Sequence, residues 1–389
     1  MSIFSAISQD LSELEKVKAR QTILAKDLSS PFYSPLLFDP NIIGKKNCEN
    51  LIGQVSLPVG IAGPVSATLK TALGTTKLTD LLIPLATTEG ALVASINRGC
   101  KLLNECKNVH INIKNVGMTR APVFSCQNTQ AATDLARWIK QNLPQLGDIG
   151  ESTSHHLTYL DSQIFQDNDL VFTRFAFDTG EAMGMNMVTI ATSKIADYVT
   201  QHNSGVTCLA LSSNLCTDKK TSMLTQKLGR GRWATITCNI NEQLLKSILK
   251  TNSQNLLATY QAKIVIGSRL AGLSGRNMHM ANAAAAILTA TGQDIAHTVD
   301  ISQGSLILKK TSGGIQAKLT LPTIPVGTVG GGTYLPSQST ARSLISREPV
   351  TSNILASAIA VASLAGELSG LSSLATGSLS SSHERLGRL

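Results

Sequence analysis

The chain has 389 residues, enough for two or three domains that each bury a core. With 42% apolar and 15% charged residues it reads as a globular chain with much buried surface. A formal net charge of +9, spread along the sequence, would suit nucleic acid, an anionic surface or a polyphosphate-bearing substrate; 4% aromatics and no basic tail or basic helix face argue against nucleic acid.

The opening segment carries acids where a signal peptide needs a basic region followed by an apolar one, so a cytoplasmic protein is expected. Within it Ile7, Leu11, Leu14, Val17 and Ile23 or Leu24 recur at helical spacing and predict an amphipathic helix. The Pro/Gly-rich passage ENLIGQVSLPVGIAGPV (49–65) reads as irregular backbone packed against something. ATTEGALVASINRGCKLLNEC (86–106) predicts a helix that Thr87 or Thr88 can cap, with a small apolar face suited to close packing.

From 109 to 212 the pattern changes to strand (VHINIKNV, extended by RAPVFSC), helix (130–143), two strands joined by QDND, helix (182–199) and strand (VTCLALSS). That order is the one found in a ferredoxin-like split unit. Within it, FDTGEAMGMNM (177–187) sets three methionines at alternate positions among glycines, suited either to core filling or to a flat organic ring. Beyond 212 the chain reads as mainly helical, with strand-like SLILKK and IQAKLTLP and a glycine-rich turn in PVGTVGGGT. The apolar run ILASAIAVASLAG is too short to span a bilayer, so no membrane partner is expected. The Ser-rich tail from 377 to 389 is expected to be mobile. Seven cysteines, none in a CxxC pair, fit reduced thiols better than a disulfide framework, and no metal site is expected.

Several residues admit both a structural and a chemical reading. Glu89, at the start of an apolar helix, is either an acid favoured by the helix dipole or a general acid with a pKa raised by apolar surroundings. In CTDKK, Lys219 and Lys220 beside Asp218 form a solvated turn or bring an ammonium to a developing oxyanion. Asp294 follows a helix end, where an acid is disfavoured, and so implies a cation nearby. His279 reads as structural, and His383 in the tail as idle or as a proton donor carried on a flap. GRGRWA (229–234) fits GxGxxA, but no strand precedes it and no acid follows at the right distance, so it is not taken as a dinucleotide fingerprint. GTVGGGT (327–333) implies close backbone approach to a ligand or a neighbouring segment.

Taken together, ENLIGQVSLPVGIAGP, PLATTEGALVASINRGCK, GMTRAPV, GEAMGMNM, CTDKK, GQDIAHTV, GTVGGGT, AGELS and the late SH resemble, in order, the catalytic domain of the 3-hydroxy-3-methylglutaryl-coenzyme A reductase family. The ENLIG form is similar to the class I branch, without the membrane domain of its animal members. The resemblance implies an α+β fold: a helical N-terminal segment (1–45), a large mixed α/β substrate domain (46–108 and 213–376), an inserted ferredoxin-like small dinucleotide-binding domain (109–212) and a C-terminal flap (377–389). It implies reduction of an acyl-CoA thioester to mevalonate and free coenzyme A with two hydrides. Glu89, Lys219, Asp294 and His383 would be catalytic: Lys219 at the oxyanion, Glu89 as proton donor to the aldehyde, Asp294 tuning both, and His383 protonating the departing thiolate. Ser95, Asn97, Arg98, Arg120, Ser212, Lys220, Lys263, His279 and Asn282 would line the substrate site, and at least a homodimer with shared sites is implied.

The dinucleotide would meet Ser154, His155, Asp178, Glu181, Met183, Gly184, Met185, Asn186, Gly327 and Arg388. His155 and Asp178 stand where NADPH-using members carry arginine, and Glu181 where they carry aspartate. A 2′-phosphate calls for arginine and a carboxylate favours a ribose hydroxyl, which makes NADH the alternative; the strength of the class I motifs keeps NADPH the favoured cofactor. Two other readings are an NAD-dependent catalyst running toward mevalonate degradation and a non-catalytic anion-binding module.

Overall fold

The computed structural model describes residues 7–24, 29–33 and 35–377. Its strands are β1 (Val59–Thr71), β2 (Gly74–Ala86), β3 (His110–Arg120), β4 (Val123–Ser125), β5 (Thr158–Asp167), β6 (Leu170–Asp178), β7 (Thr207–Ala210), β8 (Arg230–Asn241), β9 (Ser305–Thr311) and β10 (Gly314–Ile324). The larger sheet has the order β2–β1–β3–β8–β10–β9, with β1 and β3 parallel and the other neighbours antiparallel. The smaller sheet is antiparallel in the order β7–β4–β6–β5 and carries the helices Thr129–Gln141, Leu143–Glu151 and Met185–His202. This is the strand–helix–strand–strand–helix–strand succession read from the sequence, with one extra helix.

The two sheets are joined by β3. Its first part pairs with β8, and Met118–Arg120 pair with β6. The crossing occurs at Gly117, where φ is 81° and a Cβ would come within 3.0 Å of the Phe177 amide nitrogen. A side chain there would block the turn. The change at residue 109 therefore marks the start of a strand shared by both sheets.

Two separate cores follow. The smaller one gathers Phe124, Leu146, Phe175, Phe177, Ile195 and Val199. The larger is organised around the helix Ser352–Ala375, capped by the Thr351 side chain and buried along nearly its whole length. Its Ala, Ser and Gly residues let neighbours approach at backbone distance: a Cβ on Gly99 of the helix Leu92–Cys106 would meet the Ala365 carbonyl oxygen at 2.1 Å. The small apolar face of 92–106 thus packs as closely as its composition suggests. The 24-residue helix is long and apolar enough to cross a membrane, yet 94% of its apolar window is buried within the protein. The run is longer than the sequence reading allowed, and the surrounding core accounts for its apolarity.

Three further expectations are corrected. The N-terminal helix is Glu13–Leu24, so Ile7 and Leu11 precede it; Val17 packs with Ile43 and Leu51, while Leu14, Ile23 and Leu24 are exposed. The irregular passage ends at Val59, where β1 begins. Finally, β8 lies in the stretch read as mainly helical: Ala234, Ile236, Cys238 and Ile240 alternate into the core, but the GRGR start conceals the pattern.

Candidate active site

The chain between β7 and the helix Met223–Leu228 places Asn214, Thr217 and Lys219 in the left-handed region, at φ 64°, 57° and 55°. Side chains there cost about 1–2 kcal/mol each, so other bonds must hold the loop. Thr119 Oγ1 donates to Cys216 O at 2.8 Å, the Ser213 N–H to Ala121 O at 2.9 Å and the Ser222 N–H to Gln303 Oε1 at 2.6 Å. The loop so fixed brings Lys219 Nζ to 2.7 Å from Asp294 Oδ2.

Asp294 is not placed against a helix C-terminus, as its position after the helix Met280–Ala290 suggested. It caps the next turn, Ile295–His297, accepting from the Ala296 N–H at 3.0 Å, where an acid is favoured. The cation anticipated beside it is Lys219. Partial burial pushes the Asp294 carboxyl up, but the Lys219 hydrogen bond, the His297 ring and the Ala296 N–H outweigh it and hold the group below the usual carboxylate range.

Behind the pair runs an array of charges that the sequence reading missed. His297 Nδ1 lies 2.8 Å from Asp300 Oδ2, and Arg230 Nη1 lies 3.8 Å from Asp300 Oδ1. Arg230 Nη2 donates to Asp218 Oδ1 at 2.9 Å, and Asp218 Oδ2 lies 3.6 Å from Arg120 Nη1. Asp294, His297 and Asp300 recur every third residue, a spacing that puts them on one helical face and was available as a signal. Arg230 lies in GRGRWA, which is here a buried ion-pair anchor.

Glu89 precedes the helix Leu92–Cys106, whose N-cap, Ala91, has φ 69° and makes no side-chain cap; Thr87 Oγ1 instead accepts from the Glu89 N–H. Glu89 is exposed in this chain, without the apolar surroundings anticipated, and accepts from Asn282 Nδ2 at 3.0 Å. The start of the Asn282 helix is held by Glu367, a fully buried carboxylate that accepts the Met278 and His279 N–H groups at 2.6 and 2.8 Å. Burial pushes the Glu367 carboxyl above the usual range, partly offset by His279, the two N–H groups and Lys263. Glu367 is a further residue that sequence reading missed, although an acid inside an otherwise apolar helix was visible.

A cleft of about 750 Å³ runs beside Asp294, lined by Met183, Gly184, Met185, Asn186, Met187, Gly327 and residues 329–333, with Lys46 and Asn47 at its rim. Met185 is buried in the small core, whereas Met183 and Met187 are half-buried, packed against that core and lining the cleft. Gly327 serves a neighbouring segment, since a Cβ there would meet Met183 N at 2.3 Å, while Gly330 and Gly331 face open space.

Ser154, His155, Asp178 and Glu181 do not line this cleft. Asp178 Oδ1 accepts the Gly180 N–H at 2.9 Å, and Glu181 Oε2 accepts the Ser352 N–H at 2.6 Å and the Thr328 hydroxyl at 2.8 Å. The substrate candidates are spread around Glu89 and Lys219. Ser95 Oγ lies 2.9 Å from Ser369 Oγ, and Asn97 Oδ1 accepts the Gly63 N–H at 3.1 Å. Arg98 turns its guanidinium onto Ser369 O and Ser373 Oγ, both at 2.7 Å, and Arg120 Nε donates to Thr189 Oγ1 at 2.8 Å. Ser212 Oγ is 3.1 Å from Cys216 Sγ. Lys220 is exposed, and so is Lys263 on the π-helical turn Tyr260–Gly267. His279 stands at the N-cap position of the Asn282 helix without a side-chain cap bond, and His383 and Arg388 lie outside the described residues.

Comparison with known proteins follows the same lines. The sequence model of the family described as Hydroxymethylglutaryl-coenzyme A reductase matches residues 16–388. The chain is 41% identical over 350 residues to a 3-hydroxy-3-methylglutaryl-coenzyme A reductase of Aeropyrum pernix, covering 88% of this chain and 82% of that one. It is 39% identical over 358 residues to the protein of that name from Pyrococcus abyssi, covering 90% and 86%. Its fold is similar to a class II 3-hydroxy-3-methylglutaryl-CoA reductase from Streptococcus pneumoniae solved with NADPH, with a TM-score of 0.68 at 20% identity over 96% of this chain and 99% of that one.

Proposed function

This chain belongs to the hydroxymethylglutaryl-coenzyme A reductase family, and on that premise we propose that it reduces 3-hydroxy-3-methylglutaryl-CoA to mevalonate and free coenzyme A, as in the mevalonate pathway. The observation that carries the reading is the Lys219–Asp294 pair, 2.7 Å long, beside a cleft floored by methionine and glycine.

The cleft fits a dinucleotide in kind: half-buried thioethers offer an adaptable apolar surface for a ring, and Gly330 and Gly331 leave room at the backbone. Met183, Gly184, Met185, Asn186 and Gly327 would hold it, and a bound reduced nicotinamide would supply hydride. Lys219 donates a hydrogen bond to the oxygen that gains charge at the thioester carbonyl, and Asp294 keeps that ammonium oriented. Glu89, held by Asn282, protonates the aldehyde oxygen, and His383 protonates the thiolate of coenzyme A. The cationic side chains of Arg98, Arg120, Lys220 and Lys263 suit the acyl carboxylate and the coenzyme phosphates. The smaller sheet unit would bind the dinucleotide and the larger the substrate, in a cytoplasmic homodimer with shared sites.

NADPH is the favoured nucleotide. Asp178 and Glu181, the two carboxylates that would repel a 2′-phosphate, have the buried guanidinium of Arg232 as a charged neighbour, and that cation offsets part of the repulsion. Incubating the purified protein with the acyl-CoA and each reduced nucleotide tests both points. Oxidation with a higher kcat/KM for NADPH is expected; no oxidation with either nucleotide overturns the reading, and a preference for NADH overturns the cofactor assignment.

A further inference from the structure

His297 is fully buried, its Nδ1 is 2.8 Å from Asp300 Oδ2, and its Nε2 has no hydrogen-bond partner among the described residues. That free nitrogen lies 3.8 Å from Asp294 Oδ2, the same oxygen that meets Lys219 at 2.7 Å. A buried ring nitrogen without a partner is costly and calls for a reason. Resting on the reductase reading above, we infer that His297 is a positioning residue for the reaction: Asp300 fixes its ring, and the ring fixes the Asp294 carboxylate against Lys219.

The arrangement is built from behind. Asp300 is itself fully buried, its peptide oxygen accepts from the Thr323 hydroxyl at 3.0 Å, and Arg230 of β8 stands 3.8 Å from its Oδ1. The bond to Asp300 decides which ring nitrogen faces Asp294. Asp300 Oδ2 on the Nδ1 side and Asp294 Oδ2 on the Nε2 side bracket the ring with two carboxylates. The groups facing the ring are Asp294 and Asp300 on its own turns, Lys219 beyond Asp294 and Arg230 behind Asp300. The helix Met280–Ala290, packed against the same turns, carries no titratable side chain. Without a partner behind it, the partly exposed Asp294 carboxylate could swing toward solvent; the fully buried ring beside it gives that carboxylate a fixed electrostatic partner.

The test is steady-state kinetics of the whole chain and of His297→Ala, His297→Gln and Asp300→Asn, over a pH series and with thermal melting of each. For His297→Ala the expected result is a kcat reduced by about tenfold or more with both KM values within about twofold. The acid limb of its pH–rate profile should move to higher pH, because Asp294 loses a neighbour that favours its charged form. His297→Gln keeps a hydrogen-bond donor and should recover much of the kcat while leaving the acid limb displaced. Asp300→Asn should act in the same direction as His297→Ala, and with His297→Gln it decides the matter if His297→Ala does not fold. A kcat near that of the unmodified chain in these variants, or a loss that follows melting temperature with the acid limb unmoved, overturns the inference while leaving the reductase reading intact. Absence of turnover in the unmodified chain overturns that reading, and this role with it.

Discussion

Lys219 is held in the left-handed region at φ 55°, a conformation that glycine adopts without penalty and that the loop imposes on a residue with a Cβ. Replacing Lys219 by Ala or Gly removes the same ammonium, and both changes should abolish measurable turnover. The two variants should differ in stability, with Lys219→Gly about 1 kcal/mol more stable than Lys219→Ala once the unfolded-chain entropy of glycine is set against the relieved strain. Urea melts of the pair check this; equal stability would mean the loop relaxes when the lysine is lost. That a cation stands beside Asp294 was legible in the sequence, but not for the reason the sequence offered: Asp294 caps the turn Ile295–His297 instead of facing a helix C-terminus, and the CTDKK loop supplies Lys219. The partners behind them were less so. His297 and Asp300 lie on two adjoining turns and Arg230 on β8, far away in the chain, and only the three-residue spacing from Asp294 pointed to part of the array.

At the scale of elements, the helix Met280–Ala290 has no side-chain cap of its own and borrows one from the middle of Ser352–Ala375 through Glu367. The carboxylate accepts one N–H on each oxygen, so Glu367→Gln must turn its NH₂ toward one of them. A loss of about 1–3 kcal/mol in denaturant unfolding is expected, with lower kcat as Asn282 and Glu89 lose their register. The pH dependence has a definite sign. Glu367 is raised above its unfolded value of 4.5, so the folded state holds its proton more tightly. Its contribution to stability is greatest below that value and declines as pH rises through the folded pKa. Glu367→Gln should flatten that decline, and an unchanged profile would show that other groups cause it. Elements with one clear periodicity, such as Leu92–Cys106 and β6, were legible in the sequence. By contrast β8 opens on glycine and two buried arginines, so its alternation begins too late to announce a central strand.

Across the whole molecule, Glu89, the proposed proton donor, is exposed in a single chain and held by Asn282. Val55, Leu57, Val59 and Ile61, at alternate positions, are also exposed, forming an apolar strip unusual for a free surface. That strip lies beside Glu89: the Thr87 N–H donates to Pro58 O at 3.1 Å, and Val59 pairs with Ala86. A second subunit covering 55–61 would also enclose the Glu89 loop and exclude water from it. This ties the proposed dimer to the chemistry instead of leaving it as an assembly detail. The double variant Leu57→Asp/Val59→Asp should therefore run as a monomer in light scattering and lose about tenfold or more in kcat, with its thermal unfolding still cooperative. A monomeric variant with full activity would separate the two and place the acid's environment within one chain; a variant that stays dimeric would move the interface elsewhere.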